Sequence, residues 1–247
     1  MPIPFSPIKS LGQNFLQDQN IIRKIVDALD APENALVLEI GPGGGALTEH
    51  LLKRYPRLIA LDKDQRAVDW LKKRYPHADI RLGDILDFDW SLLDDEAVYV
   101  IGNLPYYITS EILFGLLAQG KQVRRAVMMV QLEVAQRIVA APRSKAYGIL
   151  SVLTQLSATP KMLFKVSRHV FIPKPEVESA VIAIENIQET IDERLRKVVR
   201  TAFNQRRKTL RNSLKSLGQV PNRWAEKRAE ELEPTEFVEL THALFGL

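Results

Sequence analysis

Leu36-Val37-Leu38-Glu39-Ile40-Gly41-Pro42-Gly43-Gly44-Gly45 decides how this chain folds. Residues 36–40 are apolar except for Glu39 and form a short strand. The glycine run makes a turn, and Leu47, Leu51 and Leu52 begin a helix. Glycines at such a turn let a ligand approach the backbone and the helix N-terminus closely. The spacing is Gly-x-Gly-x-Gly, not Gly-x-Gly-x-x-Gly, which weakens a dinucleotide reading. No Gly-Lys-Ser/Thr follows, so a phosphate-cradling P-loop is excluded.

Downstream, the alternation repeats. Residues 58–61 form a second strand ending at Asp62, and Val68 and Leu71 mark a second helix. Ile80 and Leu82 mark a third strand, ending near Asp84. Residues 98–101 are a fourth, 112–117 lie in the helix after it, and 126–130 are a fifth. Repeated βα units with apolar strands predict an α/β fold with a parallel sheet covered on both faces. Residues 160–166 and 177–184 read as an antiparallel hairpin closing one sheet edge, with Pro173 and Pro175 between the strands. From about Ile187 no strand follows. Val198 with Ala202, Val199 with Phe203 and Leu210 with Leu214 are spaced as helix pairs. A boundary near Gln188 divides residues 1–188 from a smaller helical domain, 189–247. Upstream, Pro2, Pro4 and Pro7 keep the first residues irregular. Ile21, Ile22, Ile25, Val26 and Leu29 then predict a helix with Asn20 as its N-cap.

In open α/β sheets, ligands bind at the carboxyl ends of strands. Asp62 stands there, 21 residues after Gly41, placed for ribose hydroxyls; Asp64 is the second choice and reads as a surface helix cap. Asp84 closes the third strand, able to accept from an adenine amine while Ile85 packs on the ring. The fourth strand ends in Asn103-Leu104-Pro105-Tyr106. This group suits methylation of an exocyclic amine. The Asn103 side-chain oxygen and the carbonyl of Leu104 or Pro105 can accept both amine hydrogens and aim the nitrogen lone pair. Tyr106 can stack on the base, and Pro105 stiffens the backbone.

The chain has 247 residues, 46% hydrophobic, and no cysteine, which excludes disulfides, thiolate metal sites and cysteine nucleophiles. The four histidines lack ligand spacing, so no metal is expected. No apolar run is long enough for a membrane span and the N-terminus lacks a signal-peptide core, so a cytoplasmic location is expected. The net charge of +4 matters less than its distribution. Between Arg194 and Lys215 lie nine basic residues and no acidic one, whereas glutamates dominate after Trp224. That concentration is the footprint of a polyanion partner.

Together these features look like a class I methyltransferase using S-adenosylmethionine. Six motifs in order narrow the match: Leu11-Gly12-Gln13-Asn14-Phe15-Leu16, Glu39-Ile40-Gly41-Pro42-Gly43, Asn103-Leu104-Pro105-Tyr106, Ser144-Lys145-Ala146-Tyr147-Gly148, Phe171-Ile172-Pro173-Lys174-Pro175, and the run from Ala202 to Asn212. They resemble the KsgA (RsmA) family of small-subunit rRNA adenine dimethyltransferases, from about Leu11 to the C-terminus. The resemblance implies a Rossmann-like, mostly parallel sheet with a smaller C-terminal helical domain. It implies N6-dimethylation of two adjacent adenosines in the 3′-terminal hairpin loop of 16S rRNA, in a pre-30S particle, by a monomer. It assigns Asn14, Leu16, Gly41, Gly43, Asp62, Asp84, Ile85 and Asn103 to S-adenosylmethionine. Asn103, Leu104, Pro105 and Tyr106 would receive the adenine, with Phe171 covering its other face. Arg200, Arg206, Arg207, Lys208 and Arg211 would hold RNA phosphates. Tyr107 departs from the family, many of whose members have Asn there. The alternatives are an adenine of 23S rRNA, as in the Erm resistance enzymes, or of DNA, or an assembly factor in which binding outweighs catalysis.

Overall fold

The computed structural model describes residues 5–8, 11–93, 96–188 and 191–246. Pro2, Pro4, Met1 and the first residues of the expected helical domain, Glu189 and Thr190, lie outside them. A seven-stranded sheet runs through the chain in the order β4-β3-β2-β5-β6-β9-β7. Its strands are β2 (Leu36–Ile40), β3 (Leu58–Asp62), β4 (Asp79–Leu82), β5 (Val98–Asn103), β6 (Val123–Gln131), β7 (Thr159–Val166) and β9 (Ser179–Glu185). The first five pair in parallel, as the repeated βα pattern predicts. The expected hairpin is present, but its second strand lies inside: β9 pairs antiparallel with both β6 and β7, leaving β7 at the edge. This strand starts at Ser179, and Val177 is exposed.

Every residue of β2 and β3 is buried, because helices cover both faces. Val37, Ile101 and Val127 face one layer with Ile22, Ile25 and Leu51. Leu38, Ile40, Val100 and Met128 face the other with Ile112, Leu113 and Leu116. Those helices are α1 (Gln19–Ala28), α2 (Thr48–Arg54), α3 (Gln65–Arg74) and α4 (Thr109–Ala118). The α1 N-cap is Asp18, not Asn20: its carboxylate accepts from the Asn20 and Ile21 amides at 2.8 and 3.0 Å. Asp18 stands just before the first turn, where its carboxylate reaches the free amides, and Asn20 already lies within the helix. Gly102 is held by space. A Cβ there would lie 2.5 Å from the Ile40 carbonyl oxygen, so only glycine lets β5 sit against β2 at the cleft.

Two elements escaped the sequence pattern: β1 (Phe15–Leu16) and β8 (Phe171–Ile172), which pair antiparallel with Leu16 opposite Phe171. Two-residue strands carry no periodicity to detect.

After the sheet come α7 (Glu193–Asn204), α8 (Leu210–Ser213), α9 (Asn222–Ala225) and α10 (Pro234–Phe245). Their core includes Val198, Trp224, Phe237 and Leu240. It also takes in Tyr147, Val152 and Leu153; the last two belong to α6 (Ile149–Ser157), which follows α5 (Leu132–Ile138). Tyr147 is fully buried and its hydroxyl donates to the Leu232 carbonyl at 2.9 Å. Ile187 packs with the sheet core and Ile191 with the helical core.

Candidate active site

The turn after β2 takes positive φ at Gly41 (67°) and Gly43 (53°). L-residues avoid this region, and glycine enters it freely. The turn aims the Gly43 amide at Asp62 Oδ2, 2.9 Å away, while the Asp64 amide donates to Oδ1 at 2.9 Å. Burial raises the Asp62 carboxyl above its ordinary range, and those backbone donors oppose the rise. Each oxygen keeps acceptor capacity for a ribose hydroxyl. Asp64 caps α3 as expected, but it is buried, not on the surface. The Arg66 guanidinium and the Gln13 amide grip it and hold its pKa down at about 2.

Asp84 Oδ1 accepts from the Leu86 amide at 3.1 Å, and Oδ2 lies 3.6 Å from Lys63 Nζ. The half-buried Ile85 follows. Asn14, Leu16, Gly41, Gly43, Asp62, Asp84, Ile85, Asn103, Leu104, Pro105 and Tyr106 all line one cleft at the carboxyl ends of β2 to β5. Among the described residues no group of three histidines or acids could hold a metal ion.

Asn103 is oriented by its neighbour across the cleft. Its Nδ2 donates to the Asn14 carbonyl at 2.9 Å. A carbonyl accepts only from the amide nitrogen, so the Asn103 oxygen is directed away from that contact and remains an acceptor. The structure also chooses between the two backbone carbonyls. Pro105 O already accepts from the Ile108 amide at 3.4 Å and from Thr109 Oγ1 at 3.3 Å. Leu104 O has no hydrogen-bond donor among the described residues. The Tyr106 hydroxyl shares a 2.7 Å hydrogen bond with Ser179 Oγ, fixing its ring. Burial pushes that phenol's pKa up, so it stays neutral.

Phe171 stands apart from the cleft wall. It is 3% exposed and, as the first residue of β8, packs in one core cluster with Leu16 and Val181. The basic run also divides. Arg200, Arg207 and Lys208 are exposed, with no ion-pair partner among the described residues. Arg211 is exposed and pairs with Glu226 at 2.6 Å. Arg206 departs from the phosphate-binding expectation. Its guanidinium donates to Glu230 at 2.6 Å and to the Lys145 and Ser144 carbonyls at 2.9 and 3.1 Å. The acids after Trp224, distant in sequence, fold back onto the run.

Sequence reasoning passed over Glu39 as a functional residue. It lines the cleft at 1% exposure, and its Oε2 has no hydrogen-bond partner. Burial pushes its pKa up to about 8, against a smaller opposing pull from Thr48, whose hydroxyl is too poorly placed for an ordinary hydrogen bond. The signal was present: one acid within an otherwise apolar strand.

A family profile described as "Ribosomal RNA adenine dimethylase" matches residues 6–244. The chain belongs to this family. Among the family's members, the "Ribosomal RNA small subunit methyltransferase A" of Salinibacter ruber is 51% identical, over 99% of this chain and 87% of the relative. The protein of the same description from Prosthecochloris aestuarii is 44% identical, over 93% of this chain and 90% of its own. A dimethyladenosine transferase structure from Plasmodium falciparum superposes with a TM-score of 0.79 at 26% identity, covering 92% of this chain and 95% of that one. The 23S rRNA methyltransferase ErmE gives 0.73 at 26% identity, covering 94% and 100%. The chain thus shares the class I methyltransferase architecture of these structures, and the cleft described above lies at the carboxyl ends of its parallel strands.

Proposed function

We propose that this chain transfers methyl groups from S-adenosylmethionine to N6 of two adjacent adenosines in the 3′-terminal hairpin loop of 16S rRNA, within a pre-30S particle. One observation carries the reading: Asn103, held by Asn14, offers its side-chain oxygen beside the free Leu104 carbonyl. Two fixed acceptors match the two hydrogens of an adenine amine. They draw density onto a nitrogen otherwise delocalised into the ring, at no reorganisation cost during reaction.

The cleft fits the cofactor. Asp62 offers acceptors to a ribose, and Asp84 with Ile85 offers an acceptor and an apolar surface to an adenine. When bound, the cofactor's sulfonium supplies an activated methyl group. Asn14, Leu16, Gly41 and Gly43 would complete its pocket. The protein's part is positioning: Tyr106 supports the target base, and Asn103 and Leu104 orient its amine, whereas Phe171, packed in the core, would reach the base only if its ring turned out of that packing. An extruded base is cheap in an RNA loop and gains about 1–3 kcal/mol from stacking. Arg200, Arg207, Lys208 and Arg211 would contact phosphates from the helical domain, residues 189–247, with the catalytic domain spanning 1–188. The protein would act as a cytoplasmic monomer. No helix among the described residues is long and apolar enough to cross a membrane.

The test is transfer of labelled methyl groups to 30S particles lacking these modifications, with nucleoside analysis. Dimethyladenosine in the 3′-terminal hairpin is the expected product. Transfer to 23S rRNA or DNA instead would overturn the substrate and retain the chemistry.

A further inference from the structure

Beside the cleft, two residues not yet given a role, Tyr107 and Lys63, form a polar chain with Asp84. Tyr107 follows β5, Lys63 follows β3 and Asp84 follows β4. Lys63 Nζ donates to the Tyr107 hydroxyl at 2.7 Å and sits 3.6 Å from Asp84 Oδ2. Its ammonium is also 5.4 Å from the centre of the Tyr107 ring. The ring has its own support: a Cβ on Gly12 would meet Tyr107 Cδ1 at 3.2 Å, so the segment leading to Asn14 passes directly against it. Tyr107 is nonetheless 51% exposed. A lysine on a flexible stem spends side-chain entropy to hold one position, and here two partners on two different loops hold it.

We propose that Tyr107 and Lys63 are positioning residues for the adenine end of the cofactor. Tyr107 fixes the Lys63 ammonium, and the ammonium holds the Asp84 carboxylate where it accepts from the adenine 6-amino group. The Leu86 amide secures only Asp84 Oδ1, so Oδ2 depends on Lys63 for its orientation. Lys63 lines the cleft together with Asp62 and Asp84. This inference rests on the cofactor reading above and adds a specificity determinant to it.

The test measures binding by calorimetry of S-adenosylhomocysteine and of its inosine analogue, which carries a 6-oxo group in place of the amine. Wild-type protein should prefer the adenosine compound. Tyr107→Phe keeps the ring against Gly12 and removes only the hydroxyl. It should weaken the adenosine compound about three- to tenfold, the worth of one hydrogen bond, and change the inosine compound less. Lys63→Met should do the same more strongly, and the double variant should be no weaker than Lys63→Met alone. Equal loss for both ligands would mean a general structural role and overturn the proposal. So would unchanged affinities, or effects that add in full. If wild-type protein binds neither ligand, the cofactor reading itself fails, which is a separate outcome.

Discussion

Replacing Glu39 by glutamine tests the physics of the cleft floor. In the unfolded chain Glu39 ionises near 4.5, whereas in the fold burial pushes this to about 8. Between those values the folded protein keeps a proton that the unfolded chain has released. Raising the pH through that window therefore favours the unfolded state, and the loss is complete only above about pH 8. The displacement corresponds to on the order of 5 kcal/mol in full, and to about 3 kcal/mol by pH 7. Glutamine is neutral throughout and nearly the same shape. At pH 5 both proteins should agree within about 1 kcal/mol, because a protonated carboxyl and an amide leave comparable groups unpaired. At pH 8 to 9 the glutamine protein should be the more stable by several kcal/mol. Urea unfolding at pH 5, 7 and 9, with a common slope against denaturant, reads this directly. A stability difference that stays constant from pH 5 to 9 would refute the reasoning, since it would mean that Glu39 does not hold its proton.

Asn103→Ala should cut methyl transfer by about a hundredfold or more, the scale of losing a preorganised polar contact, while circular dichroism stays unchanged; wild-type turnover would sink the amine-acceptor mechanism. Tyr106→Phe loses only the hydrogen bond to Ser179 and should cost less than about tenfold in turnover, whereas Tyr106→Ala should raise KM for RNA further by removing the stacking face. Arg206→Ala should lower stability by about 1–2 kcal/mol, seen as a reduced Tm, because it leaves the Glu230 carboxylate and the Lys145 carbonyl without this donor. Arg207→Glu with Lys208→Glu should leave Tm unchanged, weaken RNA binding about tenfold and flatten its salt dependence.

The parallel core was legible because buried parallel strands are written as short apolar runs, and β2, β3, β5 and β6 each carry one. The cleft was legible because its polar residues interrupt those runs where strands end: Asp62, Asp84 and Asn103 each follow apolar neighbours. What stayed hidden depends on distance in sequence. Nothing local in Arg206 announces Glu230, 24 residues on, or the carbonyls of residues 144 and 145. Nothing in Phe15 and Leu16 announces β8. Strand order at the edge also lay beyond local pattern, since a hairpin can dock by either strand. Its second strand won because residues 179–184 are all buried, while those of β7 are mostly not.

The latch formed by Arg206 and Tyr147 has a consequence for target choice. Arg206 bonds the loop at residues 144 and 145, and Tyr147 bonds Leu232 within the helical core. The exposed cations next to Arg206 are thereby set at a fixed reach from Asn103. On the proposed reading, such a protein works as a caliper. It finds its adenosine by how far the loop stands from the phosphates it grips, more than by the letters of that loop. Lengthening the hairpin stem by a base pair would then carry the right nucleotide past the pocket, with every contact residue intact.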